Sequence, residues 1–196
     1  ILASKLAIGN FSNLVEDPRL TQPLGAVWYQ VSGSGAAIAN VAQGNALRIS
    51  GAGNARIGSR TQVSANPGQK FEVSGRVQNQ TDKSVFIHVF WYTNAGAYIQ
   101  VTGIEIPSTA SGWNNYSQVV EAPNNPDLGY GVYTFRTTSD STTGNAWLVN
   151  PRFAEAIVAE LVVDGAITTR TIAAGAVTAG ELAANAVLAD KIAANA

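Results

Sequence analysis

The end of the chain carries a ten-residue repeat, and this feature restricts the possible folds more than any other. Residues 165–196 read GAITTRTIAA, GAVTAGELAA, NAVLADKIAA and NA. A spacing of five between apolar residues matches neither the heptad of a coiled coil nor the alternation of a strand. We therefore expect each unit to form one or two helical turns followed by two extended residues. The apolar positions are Ile167, Ile172, Val177, Leu182, Val187 and Ile192.

Capping residues in the repeat agree with this interpretation. Thr168 and Thr178 suit helix N-caps, and Gly175, Asn185 and Asn195 suit the left-handed residue after a helix. Helices this short are marginal in water, so the units must stack or associate with copies of themselves. Residues 154–196 are therefore predicted to form a slender homo-oligomeric stalk, most simply a trimer. The alternative is a flexible, alanine-rich linker.

Residues 11–153, between a short apolar lead-in at 1–10 and the stalk, are predicted to form an all-β domain. Segments rich in β-branched and aromatic residues alternate with turn signals, and the chain has 19 glycines and only 13% charged residues. This spacing predicts a β-sandwich or barrel. The strand-like segments are NALRIS, KFEVSGRVQ, SVFIHVFWY, YSQVVEA, GVYTFRTT and AWLVNPRF.

Composition excludes several classes of function. The net charge is −1 with no basic stripe, which argues against nucleic acid as a partner. No apolar run approaches the roughly 18 residues that cross a bilayer, so we expect no membrane insertion. The absence of cysteine excludes disulfides and thiolate metal sites. Methionine is also absent, even at position 1, and we expect the chain to be a piece of a longer one.

Two stretches at the ends of the chain resemble phage tail tip attachment proteins, the central tail fibres of long-tailed phages. DGAITTRTIAAGAVTAGELAANAVLADKIAANA is similar to their repeats, and ILASKLAIGNFSNLV is similar to the segment that enters an inserted domain. The resemblance implies a homotrimer at the tail tip of a virion. It also implies contact with other tail proteins and with a polysaccharide or lipopolysaccharide on a bacterial host.

The middle of the chain resembles the jelly-roll carbohydrate-binding modules of glycan-degrading enzymes and phage fibres. The matching segments are NLVEDPRL, NALRISG, VSANPGQKFEVSGRVQ, VFWYTNAGAYI, SGWNNYSQVVEAP and GNAWLVNPRFAEA. This implies a jelly-roll β-sandwich that recognises glycans. The closing strand of such modules usually carries an acidic pair where this chain has Val149 and Asn150, so the structural calcium common in that group is not supported. No other cofactor is expected.

Candidate binding residues follow from strand alternation, because sugars stack on exposed aromatic rings beside polar side chains. In SVFIHVFWY, one face is aliphatic and suits the core, while His88 and Tyr92 share the other face with Phe86 and Phe90. The two phenylalanines could equally be buried. In GVYTFRTT, Arg136 lies on the face opposite Tyr133 and Phe135.

Other aromatic residues are assigned from their positions. Tyr98 and Tyr130 lie near loops, and Trp28 is a candidate because it and its neighbour Tyr29 must point in opposite directions if they lie in a strand. The predicted glycan-binding set is therefore His88, Tyr92, Arg136, Tyr98, Tyr130 and Trp28. We expect the two remaining tryptophans of interest, Trp113 and Trp147, to lie in the core.

Nothing in the sequence predicts an enzyme. A single histidine makes a catalytic triad depend on His88 alone, and no G-x-S-x-G motif is present. The carboxylates have no spacing that pairs them across a sugar. Three functions stay open: a receptor-binding domain of a phage tail fibre, a structural spacer in such a fibre, and an ancillary carbohydrate-binding module of a secreted enzyme.

Overall fold

The structure is a computed structural model that describes residues 12–50, 54–108, 112–137 and 143–156. In this part of the chain it contains eleven β-strands and no helix. The strands are β1 (Trp28–Ser32), β2 (Ala36–Val41), β3 (Gly44–Ser50), β4 (Arg56–Ser59), β5 (Val63–Ser64), β6 (Lys70–Thr81), β7 (Val85–Thr93), β8 (Tyr98–Ile106), β9 (Asn114–Glu121), β10 (Leu128–Thr137) and β11 (Gly144–Glu155).

Two predicted segments fall outside the described residues. The lead-in at 1–10 is one of them, and the stalk is the other, apart from its first three residues, of which Ala154 and Glu155 end β11 and Ala156 follows it. The stalk and its trimeric state therefore stay predictions, as do the oligomerisation residues Ile167, Ile172, Val177, Leu182, Val187 and Ile192.

The strands form two antiparallel sheets that pack face to face. The six-stranded sheet has the order β1-β4-β10-β7-β8, with β5 paired to β10, and the five-stranded sheet has the order β2-β3-β11-β6-β9. Most strands that pair within a sheet are distant in sequence. The chain therefore crosses from one sheet to the other several times. The predicted all-β sandwich is confirmed for the described residues.

Alternating side chains explain why these segments become strands. In β6, Phe71, Val73 and Val77 are fully buried, while Glu72, Ser74 and Arg76, which alternate with the buried positions, are half-exposed. β7 follows the same period, with its aliphatic face inside. The two sheets therefore present matching apolar faces, which is what a sandwich needs to exclude water.

Aromatic rings from both sheets form the centre of the core. Trp91 on β7 lies 5.7 Å from Phe71 on β6, and Phe71 lies 5.0 Å from Phe153 on β11. The hydroxyl of Tyr133, which is buried, donates to the carbonyl oxygen of Ser74 at 2.9 Å and so joins β10 to β6. The Trp91 indole N–H is also satisfied, because it donates to Thr102 Oγ1 at 2.8 Å.

Two tryptophans predicted for the core lie elsewhere. Trp147 follows the alternation of β11, in which Ala146 and Leu148 are the buried residues, so its half-buried ring faces out of the sandwich beside Arg48. Trp113 precedes β9 and is also half-buried. The core prediction is wrong for both residues.

Candidate functional site

The candidate site is the outer face of the six-stranded sheet, the face turned away from the five-stranded sheet. In β7, Val85, Ile87, Val89 and Trp91 are buried in the core, as predicted. Phe86, His88, Phe90 and Tyr92 alternate with them and face outward. On β10, Tyr133 and Phe135 lie inside and Arg136 outside, which also confirms the prediction.

Aromatic rings form a continuous row across this face, which we call the aromatic row. Its members contact one another in sequence: Phe86 and His88 at 4.8 Å, His88 and Phe90 at 6.3 Å, Phe90 and Tyr98 at 6.0 Å, Tyr98 and Tyr92 at 6.2 Å, and Tyr92 and Tyr130 at 5.3 Å. Strand pairing places them together, since Tyr92 is opposite Tyr130 on β10 and Tyr98 on β8. The structure thus gathers the predicted His88, Tyr92, Tyr98 and Tyr130 into one surface.

One end of the aromatic row opens into a cleft of about 240 Å³. Tyr92 and Tyr130, whose rings are stacked with an interplanar angle of 23°, form one wall, and Tyr29 on β1 contributes to the lining. Polar groups are also present in the cleft. The remaining lining residues are Val31, Arg56, Gln62, Val132 and Thr134.

Glycines leave space for these side chains. An added Cβ at Gly58 would lie 2.9 Å from Val31 Cγ2 and 3.6 Å from Tyr29 Cε1, so the missing side chain leaves room for two side chains that line the cleft. Gly103, with φ of 150°, is opposite His88, and an added Cβ there would lie 2.1 Å from the carbonyl oxygen of Ile87. A larger residue at Gly58 or at Gly103 would displace the side chains or the backbone next to it on this face.

Two arginines converge on the ring of Phe90. The guanidinium carbon of Arg56 is 4.5 Å from the ring centroid and that of Arg136 is 5.4 Å from it, both within the range of cation–π attraction. This cover leaves Phe90 only 6% exposed although it faces outward. Burial lowers the pKa of Arg136, and the charge of Arg56 lowers it further. Arginine side chains are cations at neutral pH in proteins generally.

His88 is a neutral histidine in this setting. Burial lowers its pKa to about 4 from 6.5, and the charge of Arg136 adds to the effect. Since the folded pKa lies below the unfolded one, neutral His88 contributes stability that is present above pH 6.5 and is lost as the pH falls toward 4. Its Nδ1 is buried and has no hydrogen-bond partner. At neutral pH the ring therefore offers an uncharged aromatic surface, and its Nδ1 has no hydrogen-bond partner.

Tyr92 also stays uncharged at neutral pH. Burial raises the pKa of its hydroxyl, and this outweighs the nearby charge of Arg56. Tyr98 is the most exposed member of the aromatic row, with 56% of its surface accessible. The row therefore presents hydroxyl-bearing rings to solvent at one end.

Trp28 is not part of this face, and that prediction is wrong. The side chain is fully buried, its ring lies 5.9 Å from that of Tyr133, and its indole N–H donates to the carbonyl oxygen of Asp17. Its neighbour Tyr29 takes the outward position instead. Alternation requires one of the two to face outward, but only the packing of β1 decides which.

Sequence reasoning missed Arg56 and Gln62 as members of the site. The segment around Arg56 contains several glycines and resembles a turn, yet it forms β4. Residues 55–59 do show the alternation of a strand, because Ala55, Ile57 and Ser59 are buried and Arg56, between the first two, faces outward. Gln62 lies between β4 and β5, and no local pattern marks it.

The outer face of the five-stranded sheet has a cleft of similar volume, about 260 Å³, but different chemistry. Two of its charged groups already have partners, since Arg152 forms an ion pair with Glu72 and the Ser117 hydroxyl donates to Glu72 at 2.9 Å. Its one aromatic residue, Tyr116, packs partly against the core. It is therefore a weaker candidate for binding a ligand.

Two features are absent from the residues that the structure describes. No cluster of three or more histidine, aspartate or glutamate side chains in this part of the chain is placed to hold a metal ion. No described segment forms a helix with the length and apolar character needed to span a bilayer.

Comparison with protein-family models and with curated protein sequences finds no match. Solved structures do match in fold. A family 16 carbohydrate-binding module aligns with a TM-score of 0.52 and 12% identity, over 73% of this chain and all of the module. An arabinose-bound α-L-arabinofuranosidase gives 0.56 and 13%, and the tailspike protein 4 of bacteriophage CBA120 gives 0.53 and 16%.

The extent of these matches differs. The chain aligns over 74% of its length with 26% of the arabinofuranosidase, and over 67% with 20% of the tailspike domain, so it spans about a quarter and a fifth of those two proteins. The carbohydrate-binding module is matched from end to end. At these identities the likeness establishes the fold, a β-sandwich of the type found in carbohydrate-binding modules.

Proposed function

We propose that this protein binds glycans, and that the outer face of the six-stranded sheet is the binding surface. The observation that carries the proposal is the aromatic row and its cleft, in which Tyr92, Tyr130 and Tyr29 surround polar side chains. Sugars present C–H surfaces that stack on aromatic rings and hydroxyl groups that need hydrogen-bond partners. The cleft offers both, with Gln62, Thr134 and Arg56 beside the rings.

The elongated form of the row suits a chain of sugars better than a single small molecule. Six rings follow one another from Phe86 to Tyr130, and Tyr98 lies exposed at the side of the row. An extended ligand could contact Tyr98, Tyr92 and Tyr130 together. The match to a complete carbohydrate-binding module supports the same ligand class.

The proposed context is a phage tail fibre, in which the sandwich recognises a polysaccharide or lipopolysaccharide on the surface of a bacterial host. Support comes from the ten-residue repeat at 165–196, which resembles the repeats of tail tip proteins, and from a fold shared with part of a phage tailspike. The second candidate is an ancillary carbohydrate-binding module of an enzyme. The fold shared with part of an arabinofuranosidase favours it.

Replacing Tyr92 or Tyr130 by alanine should weaken glycan binding by about tenfold or more, because each variant removes a ring from the centre of the contact. Glycan-array screening with the whole chain would first identify a ligand. Isothermal titration calorimetry would then give the affinity of each variant for it.

Trp147→Ala is the matched control, since it removes an outward-facing aromatic ring from the other sheet. Its affinity should equal that of the unmodified protein, and circular dichroism would establish that all three variants are folded. Binding that survives both tyrosine replacements would overturn the assignment of this face. A protein that binds nothing on the array would instead fit a structural spacer of the fibre.

The tail fibre context predicts a homotrimer. Light scattering on the whole chain should give three times the monomer mass of 20.4 kDa. The reason is that the ten-residue repeat buries too little apolar surface to be stable unless several chains associate. Replacing Ile172, Leu182 and Ile192 together by serine should return the monomer. A full-length monomer would contradict the stalk and favour the enzyme-module alternative.

A further inference from the structure

Two positive charges lie side by side at the centre of the candidate site. Arg56 on β4 and Arg136 on β10 occupy directly opposite positions in the strand register. Like charges at opposite positions on one face of a sheet repel and destabilise the pair. Both side chains nevertheless extend along the sheet toward the same ring, Phe90. The arrangement has an electrostatic cost that the free protein does not relieve.

Neither arginine has a carboxylate partner among the residues that the structure describes. The nearest acid on this face by strand register is Glu105, which is exposed and opposite Phe86 on β8. With β7 lying between β8 and β10, Glu105 is two strand spacings from Arg136, roughly 10 Å. At that separation water and salt screen most of the attraction.

Three buried hydrogen-bonding atoms on this face also lack a partner. They are Arg56 Nε, Arg136 Nε and His88 Nδ1. Buried polar atoms in folded proteins are nearly always paired, so three such atoms around one ring need an explanation. On the other outer face, Arg152 pairs with Glu72, whereas Arg48 Nε is a single buried atom without a partner.

Positive charge continues into the cleft. Arg60 lies with its guanidinium carbon 4.9 Å from the ring of Tyr29, which lines the cleft. The whole chain has a net charge of −1, whereas this face carries an excess of positive charge. The charge is therefore concentrated where the aromatic rings are.

From this arrangement we infer that the glycan bound here is acidic, carrying a carboxylate or sulfate group that lies between Arg56 and Arg136. The inference rests on the proposed glycan-binding function and names the ligand class within it. An anion at this position would neutralise two repelling cations and accept the hydrogen bonds that their guanidinium groups leave unused. The neighbouring tyrosines would stack on the sugar rings.

Matched pairs of ligands test this inference on the whole chain. One pair is oligogalacturonate and the same oligosaccharide after reduction of its carboxyl groups, and the other is dextran sulfate and dextran. The acidic member of at least one pair should bind about tenfold tighter or more, as expected for charge-assisted hydrogen bonds. Which pair responds distinguishes carboxylate from sulfate. The preference should shrink in high salt.

Arg56→Gln and Arg136→Gln should each remove most of this preference, because each lowers the affinity for the acidic member much more than the affinity for the neutral member. Arg76→Gln is the control, because it makes the same charge change on the outer face of the five-stranded sheet. Equal affinity for both members of each pair, or a preference that survives both replacements, would overturn the inference while leaving glycan binding intact. Failure of all four ligands and of the glycan array would instead overturn the proposed function.

The single histidine provides a second readout that does not depend on affinity. Arg136, Arg56, Arg60 and Glu105 are the charged side chains that share its face, together with the hydroxyls of Tyr92 and Tyr98. In an NMR titration the pKa of His88 should rise in Arg136→Gln and also when oligogalacturonate or dextran sulfate binds the unmodified protein, because each change reduces the local positive charge. The control Arg76→Gln should not change it. A His88 pKa that is insensitive to Arg136→Gln would contradict the positive field on which the inference depends.

Discussion

Trp91→Ala should lower the free energy of unfolding of the sandwich by about 3–5 kcal/mol, the usual cost of removing a buried tryptophan. The ring is fully buried and packs against Phe71 and Phe153 of the opposite sheet, at 5.7 and 6.2 Å. The melting temperature should fall by roughly 10 °C or more.

The matched control for this prediction is Trp147→Ala. The same side chain is removed, but from a half-buried position on the outer face of the five-stranded sheet, so the loss should stay below about 1.5 kcal/mol. Urea unfolding followed by circular dichroism would measure both variants. Equal losses would mean that the two tryptophans are equally buried, contrary to the structure.

Asn79→Asp should destabilise the protein by about 3–5 kcal/mol at pH 7, although it replaces one side chain by another of the same shape. Asn79 is only 2% exposed. Its amide nitrogen donates to the carbonyl oxygens of Lys83, Ile106 and Pro107, and its oxygen accepts from the backbone N–H and hydroxyl of Thr81. A carboxylate would place negative charge against three carbonyl oxygens and donate no hydrogen bond.

The effect of Asn79→Asp should depend on pH in a defined direction. Burial and the facing carbonyl oxygens raise the pKa of the new carboxyl group above its unfolded value of about 3.9. The protonated form is then favoured in the folded state, so the deficit relative to the unmodified protein shrinks as the pH falls toward 4 and grows as it rises to 7. Urea unfolding at both pH values would measure it.

Asn124→Asp, in the exposed loop between β9 and β10, is the control for this second prediction. Its stability should differ little from that of the unmodified protein at either pH. A deficit in Asn79→Asp that is small, or that does not change with pH, would contradict the buried hydrogen-bond hub at the junction of β6, β7 and β8.

Long strands with strict alternation were predictable from the sequence. The segment 85–92 places aliphatic residues on one face and aromatic residues on the other, and both the strand and its orientation are confirmed. Apolar and polar side chains separate at a period of two because one face of such a strand must leave water. Hence His88, Tyr92 and Arg136 could be placed on the outward face without a structure.

Short or glycine-containing strands were not predictable in the same way. β1, β2, β4, β5 and β8 do not stand out as strands in sequence, because they are short, contain glycine or small residues, or are partly exposed. Their strand form comes from pairing with neighbours rather than from local preference. Arg56 on β4 was therefore missed.

Alternation in the sequence by itself determined which residues of a strand share a face. Only the tertiary structure decided which face is inside for Trp28 and Trp147, and which strands are neighbours. A ladder of hydrogen bonds between strands joins residues far apart in the chain, and no local pattern encodes the order 1-4-10-7-8. That order places Arg56 opposite Arg136, and Tyr92 between Tyr98 and Tyr130, because cross-strand register sets which side chains meet.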